Sequence, residues 1–285
     1  MKLCRFKDKQ GKIQVGLVTE DLSVVALTPA GINELHSVLE SDDAIATLNE
    51  TGWQRLPRIP LTEVSLCAPV ERQEVWAAGV TYLRSKTARM EESNFSATAY
   101  DRVYEAERPE LFFKSQGEKV AATEEPVGIR RDARWSVPEP ELALVLNSRG
   151  KMVGCTIGND MSSRDIEGEN LLYLPQAKIY ERSCALGPWL LLAAEEAEAR
   201  AWQIRLEILR GGRPVFTGQT QVGQLKRSFA ELAEYLFRSQ KFPHGAVLLT
   251  GTGIVPPDAF TLQLGDQVDI EFDGIGLLRN WVIVV

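Results

Sequence analysis

Val137-Pro138-Glu139-Pro140-Glu141, running on through Leu142-Ala143-Leu144-Val145-Leu146 to Asn147-Ser148-Arg149-Gly150-Lys151 and then along Met152 to Asp160, is the stretch that decides the fold. A residue before proline is pushed into extended geometry, so Val137 and Glu139 are held β-like. Residues two apart on a strand share a face, so Glu139 and Glu141 project together. Read as a hairpin with a two-residue turn at Arg149-Gly150, the segment pairs Ser148 with Lys151 and brings Glu139 opposite Asp160. Glu141 then faces Gly158, whose missing side chain leaves a space beside the carboxylates. Three acids thus gather at one end of an otherwise apolar hairpin.

Like charges opposed across strands destabilise a sheet, and an unpaired buried ion is costly. A divalent cation resolves the conflict, and an all-oxygen ligand set favours Mg²⁺, with Mn²⁺ or Ca²⁺ as alternatives. The plainer reading leaves the acids solvated or paired with Arg164 and Lys178. Asp160-Met161-Ser162-Ser163-Arg164-Asp165 adds a further carboxylate and a guanidinium beside the group, which favours the metal site.

Outward from the hairpin the pattern is β-rich, with strands expected at 111–115, 183–192, 202–210, 246–251, 267–273 and 276–284. Leu225, Phe229, Leu232 and Leu236 recur at helical spacing with charges between them, which predicts an amphipathic helix over a sheet. Residues 82–107 are polar and alanine-rich and predict one or two surface helices. Alternating residues 2–27 predict an antiparallel meander, followed by short helices near 31–40 and 42–50. Strands outnumbering helices argue for an α+β, β-rich chain: a mixed β-roll or barrel over 66–285 and a small N-terminal α+β domain over 1–65.

The charge balance narrows the chemistry. With 32 Lys and Arg against 39 Asp and Glu, the 285-residue chain carries −7 and has no long basic run, so nucleic acid is excluded as a partner. Two histidines, His36 and His244, are too few for a histidine metal site, and both are expected in solvated positions. Cys4, Cys67, Cys155 and Cys184 have no metal-binding spacing and read as reduced packing residues. No signal peptide and no apolar run of membrane length is seen, so a cytoplasmic protein without membrane contact is expected.

Taken together, Pro138-Glu139-Pro140-Glu141-Leu142, Gly158-Asn159-Asp160 through Arg164-Asp165, Leu186-Gly187-Pro188-Trp189, Leu249-Thr250-Gly251-Thr252-Gly253 and Gly274-Ile275-Gly276 resemble the fumarylacetoacetate hydrolase superfamily over roughly residues 70–285. The resemblance implies a mixed β-roll catalytic domain in a homodimer or homotetramer, with Glu139, Glu141 and Asp160 as ligands of Mg²⁺ or a similar ion. Hydrolases of that family carry Gly-x-Asn-Tyr-x-x-His after the first core strand. This chain has Gly79-Val80-Thr81-Tyr82-Leu83-Arg84-Ser85, with Ser85 where the water-activating imidazole would be.

A narrower match runs through Arg108-Pro109-Glu110-Leu111-Phe112-Phe113-Lys114, Asp165 to Tyr180 and Gly253-Ile254-Val255-Pro256, which are similar to the 2-keto-3-deoxy-D-arabinonate dehydratase branch. It implies dehydration of a 2-keto-3-deoxy sugar acid to 2,5-dioxopentanoate, with Glu110 as acid/base and Lys178 as the active-site lysine. Thr250, Thr252, Tyr82, Ser85 and Arg164 are the expected contacts of this small 2-keto acid. Three rivals stay open: a metal-dependent hydrolase or decarboxylase of 2,4-diketo acids, a Schiff-base role for Lys178, and a sugar-acid-binding relative without turnover.

Overall fold

The computed structural model describes residues 1–83 and 102–285. The 82–107 stretch expected to be helical therefore lies largely outside the described residues, apart from a helical turn at 102–105. The N-terminal part supplies β1 (Lys2–Lys7), β2 (Ile13–Val18), β3 (Ser23–Ala26), β4 (Arg58–Pro60) and β5 (Ser65–Cys67). There follow β6 (Glu74–Gly79), β7 (Glu110–Gln116), β8 (Pro126–Ile129), β9 (Ser136–Val137), β10 (Pro140–Leu146), β11 (Met152–Asp160), β12 (Ser162–Ser163) and β13 (Cys184–Leu192). The last strands are β14 (Gln203–Arg210), β15 (Arg213–Gln221), β16 (Ala246–Leu249), β17 (Gln267–Phe272) and β18 (Gly276–Val284).

One large sheet runs β4-β3-β2-β1-β13-β11-β10-β16-β6-β7, with β5 added at β1, and a second runs β15-β14-β17-β18-β8. The N-terminal meander continues the large sheet, because β1 pairs with β13 at Lys2↔Leu191 and Leu3↔Leu190. The N-terminal helices Leu35–Leu39 and Ala44–Glu50 are shorter than the pattern suggests, the second starting where Asp43 accepts hydrogen bonds from the Ile45 and Ala46 N–H groups.

Strand β10 is buried along its whole length, as its unbroken apolar run demands. Leu142, Leu144 and Leu146 join one core with Ile204, Leu206, Val268 and Ile270 of the second sheet. Ala143 and Val145 join another with Leu35, Val38 and Leu48 of the N-terminal part. The amphipathic helix belongs to the first core but spans Phe229–Phe237, not from Leu225 onward. Its start is set by Ser228, whose hydroxyl accepts the Glu231 N–H, leaving Leu225 buried ahead of the helix.

The hairpin register near the acids is as expected, with Glu141↔Gly158 and Pro140↔Asn159 paired and the Asp160 N–H donating to the Glu139 carbonyl at 3.0 Å. The route to it differs. The turn holds Ser148, Arg149 and Gly150, closed by the Asn147 N–H donating to the Lys151 carbonyl at 3.0 Å, so Asn147 and not Ser148 opposes Lys151. Asn147 Oδ1 fixes this turn by accepting the Arg149 and Lys151 N–H groups, and Gly150 takes the left-handed conformation it needs at φ +75°. The extra turn residue shifts pairing to Leu146↔Met152, and an irregularity at Val153 shifts it back at Val145↔Gly154 before the acids are reached.

The space expected beside Gly158 is already filled: a Cβ there would lie 2.2 Å from Leu249 Cδ2 in the core. Gly158→Ala is expected to lower stability by about 1–3 kcal/mol through overpacking. Urea denaturation measures this, and an unchanged midpoint would mean that Leu249 yields freely.

Candidate metal centre and active site

Glu139 and Glu141 leave the start of β10 on one face, and Asp160 ends β11 opposite them. All three are buried, at 3 %, 1 % and 1 % exposure, and one oxygen from each lies within 4.8 Å of the others. Among the described residues this is the one group of three or more potential ligands with that closeness. Spacing, burial and an all-oxygen donor set fit a hard divalent cation.

Each carboxylate is also held from behind. Asp160 Oδ1 pairs with Lys114 Nζ at 2.6 Å, Glu139 Oε1 with Arg164 Nη2 at 3.3 Å, and Glu141 Oε2 accepts the Gly251 N–H at 2.6 Å. Lys178 comes from the helix Leu174–Lys178 and donates to Glu139 Oε2 at 2.7 Å, Asp160 Oδ2 at 3.0 Å and Ser162 Oγ at 2.6 Å. The pairing with Arg164 and Lys178 weighed against a metal site is thus present, yet it coexists with the ligand geometry. Burial, then the charges of Asp160 and Glu139, pushes the Glu141 carboxyl well above the ordinary carboxylate range.

The acids face a small cavity of about 20 Å³, the size of one water or ion, walled also by Gly79, Val80, Glu110, Phe112, Glu167, Lys178 and Thr252. Glu110 opens β7, and a Cβ on its strand partner Gly79 would come within 2.0 Å of Glu110 Oε2, so only glycine admits this carboxyl position. Val80 next to it has φ +53°, an unfavourable backbone for a β-branched residue at the cavity wall.

Of the expected substrate contacts, Thr252 lines this cavity. Thr250 does not: its hydroxyl donates to the Leu142 carbonyl at 2.9 Å, tying the loop after β16 to β10. Arg164 pairs with Glu139 and is not among the residues that line the cavity, and Tyr82 is packed at 1 % exposure with its phenol pushed up by burial and by the charge of Glu141. Ser85 lies outside the described residues.

Lys114 and Glu167 were not singled out from the sequence. Lys114 stands at an irregularity of β7, where pairing passes from Val75↔Ser115 to Trp76↔Phe113, and it is wholly buried, donating to the carbonyls of Met161, at 3.0 Å, and Lys178. Glu167 sits on the helix Arg164–Glu169 at 4 % exposure. The two histidines are not solvated singly: their rings meet edge to face at 5.8 Å, and neither lines the cavity.

A family model described as fumarylacetoacetate (FAA) hydrolase C-terminal matches residues 74–283. A probable 2-keto-3-deoxyxylonate dehydratase of Haloferax volcanii is 46 % identical over 217 residues, covering 76 % of this chain and 74 % of its own length. A 2-dehydro-3-deoxy-D-arabinonate dehydratase of Saccharolobus solfataricus is 38 % identical over 283 residues, 98 % of this chain and 95 % of the relative. The solved structure of 2-keto-3-deoxy-D-arabinonate dehydratase with magnesium and 2,5-dioxopentanoate superposes with a TM-score of 0.81 at 31 % identity, covering 100 % of this chain and 99 % of that one.

Because burial and the charges of Asp160 and Glu139 raise the affinity of the Glu141 carboxyl for a proton, an entering ion competes with that proton. Calorimetric titration with Mg²⁺ in buffers of unlike ionisation enthalpy should record proton release that grows, and affinity that falls, as pH is lowered. Heats independent of buffer would show Glu141 already ionised.

Proposed function

Because the chain belongs to the fumarylacetoacetate hydrolase family, we propose that it dehydrates a 2-keto-3-deoxypentonate of the arabinonate type to 2,5-dioxopentanoate, with Glu139, Glu141 and Asp160 holding a divalent cation, Mg²⁺ foremost. The observation that carries this reading is the convergence of three buried carboxylates on a cavity that Glu110 and Lys178 also line. It is supported by the relative that binds magnesium and 2,5-dioxopentanoate.

When bound, the cation supplies Lewis acidity to the carboxylate and 2-keto oxygens of the substrate. Glu110 takes a proton from carbon 3, which is acidified by the neighbouring ketone. Lys178 offsets the negative charge that builds on the keto oxygen. The hydroxyl on carbon 4 then leaves as water, giving a carbon 3–carbon 4 alkene. Transfer of a proton from carbon 5 to carbon 3 produces the enol that becomes the aldehyde. Thr252, on the cavity wall, is positioned to contact the acid end of the substrate. The Lys178 nitrogen already donates to two carboxylates and a hydroxyl, which speaks against a Schiff-base role.

The reading extends to a cytoplasmic homodimer or homotetramer, consistent with the absence, among the described residues, of any helix long and apolar enough to cross a membrane. Light scattering tests the assembly.

Turnover is tested by coupling the product aldehyde to an aldehyde dehydrogenase across D- and L-2-keto-3-deoxypentonates and the corresponding hexonates. Wild-type protein with Mg²⁺ should turn over a pentonate fastest, and Glu139→Gln or EDTA should abolish the activity. Cleavage of acylpyruvates without any dehydration would establish the hydrolase reading instead, and an unaffected Glu139→Gln rate would discard the site.

A further inference from the structure

Beyond the ion cavity lies an outer pocket of about 430 Å³, lined by Val103, Pro109, Glu110, Leu111, Glu167, Leu171 and Leu174. Only Glu110 and Glu167, among the described residues, line both this pocket and the inner cavity. The boundary between the two spaces is therefore marked by a pair of carboxyl groups, one from the start of β7 and one from the helix Arg164–Glu169. Among the described residues, the rest of the outer wall is apolar.

A dehydration needs two proton movements at adjacent carbons: one proton leaves carbon 3, and another must reach the oxygen on carbon 4 if it is to depart as water instead of hydroxide. Resting on the dehydratase reading, a substrate whose carboxylate and keto oxygens turn toward an ion held in the inner cavity places carbon 3 at the boundary and carbons 4 and 5 in the outer pocket. Both proton transfers then fall where the two glutamates are.

We propose that Glu167 is a second catalytic residue, the general acid that protonates the leaving hydroxyl, while Glu110 is the base at carbon 3. Glu110 takes the carbon 3 proton as a carboxylate, and that carbon–hydrogen electron pair forms the carbon 3–carbon 4 double bond. The carbon 4–oxygen bond breaks with its electron pair going to oxygen, which takes the Glu167 carboxyl proton and leaves as water. Glu167, now a carboxylate, takes the proton from carbon 5 as the alkene is isomerised, and Glu110 returns its proton to carbon 3. Both groups end as they began, and the enol released becomes the aldehyde by moving its own hydroxyl proton to carbon 4. The burial of Glu167 suits this work, since an acid shielded from bulk water delivers its proton to the bound oxygen.

Two reactions separate the roles: exchange of the carbon 3 hydrogens with deuterium oxide, followed by NMR, which needs only the base, and fluoride release from a 4-deoxy-4-fluoro analogue, whose leaving group needs little proton help. With Mg²⁺ present, Glu167→Gln should form 2,5-dioxopentanoate about 100-fold more slowly than wild type, in line with the usual loss of a general acid. It should keep carbon 3 exchange and fluoride release within about tenfold of wild type, a retention that loss of packing alone would not produce. Glu110→Gln should lose exchange and both eliminations. Mg²⁺ affinity without substrate, measured by calorimetry, should stay at the wild-type value in both variants. The proposal is overturned if Glu167→Gln dehydrates at the wild-type rate, or if exchange, dehydration and fluoride release fall together. A wild-type protein that exchanges carbon 3 but forms no aldehyde would instead sink the dehydratase reading, and the acid assignment with it.

Discussion

Three carboxylates forced together at the end of a buried hairpin set the terms for the rest of the molecule. Glu139, Glu141 and Asp160 bring three negative charges into a space that water does not solvate, and three buried cations answer them: Lys114, Lys178 and Arg164. Each answer comes from a different place in the chain: β7, the helix after β12, and the helix that ends at Lys178. The Gly251 N–H adds a fourth anchor from the loop after β16. Breaking a buried pair by removing one partner typically costs about 3–5 kcal/mol, so the cluster ties these elements into one unit while storing repulsion that a bound cation relieves.

The apolar architecture exists to hold that cluster still. Because β10 is covered on both faces, Glu141 near its start and Glu139 just before it are carried on a rigid element. Lys178 bridges two of the three acids, through Glu139 Oε2 and Asp160 Oδ2. Stability is given up at the site and recovered in the two cores, a common exchange where function needs like charges side by side.

How far the sequence could be read follows from which forces were local. The proline-flanked Glu-x-Glu and the apolar run of β10 determine strand, face and partner strand, and these were legible. The turn was not, since Asn147 closes it through a side-chain contact that adds a residue. The register near the acids nevertheless matches because Val153, left unpaired on the other strand, offsets the added turn residue. Lys114 was passed over because a lysine in an apolar strand acquires meaning only from Asp160, 46 positions away and on another strand. Thr250 and Arg164 show the opposite case: their motif positions stand beside the site, where the Thr250 hydroxyl donates to the Leu142 carbonyl and Arg164 pairs with Glu139, contacts that no local pattern announces.

Histidine scarcity also takes on a different weight. The imidazoles of His36 and His244 are used against each other, away from the cavity, so the residue type best suited to proton transfer near neutral pH has no place among the groups that line it. In the proposed reaction proton movement falls to carboxyls, and a carboxyl serves only where neighbours and burial adjust its readiness to give or take a proton. The structure provides two environments for them. Those at the floor are held by cations and by the Gly251 N–H, and Glu110 and Glu167 line both the cavity and the outer pocket. On the proposed reading one residue type serves as ligand and as proton carrier, and depth in the site separates the two.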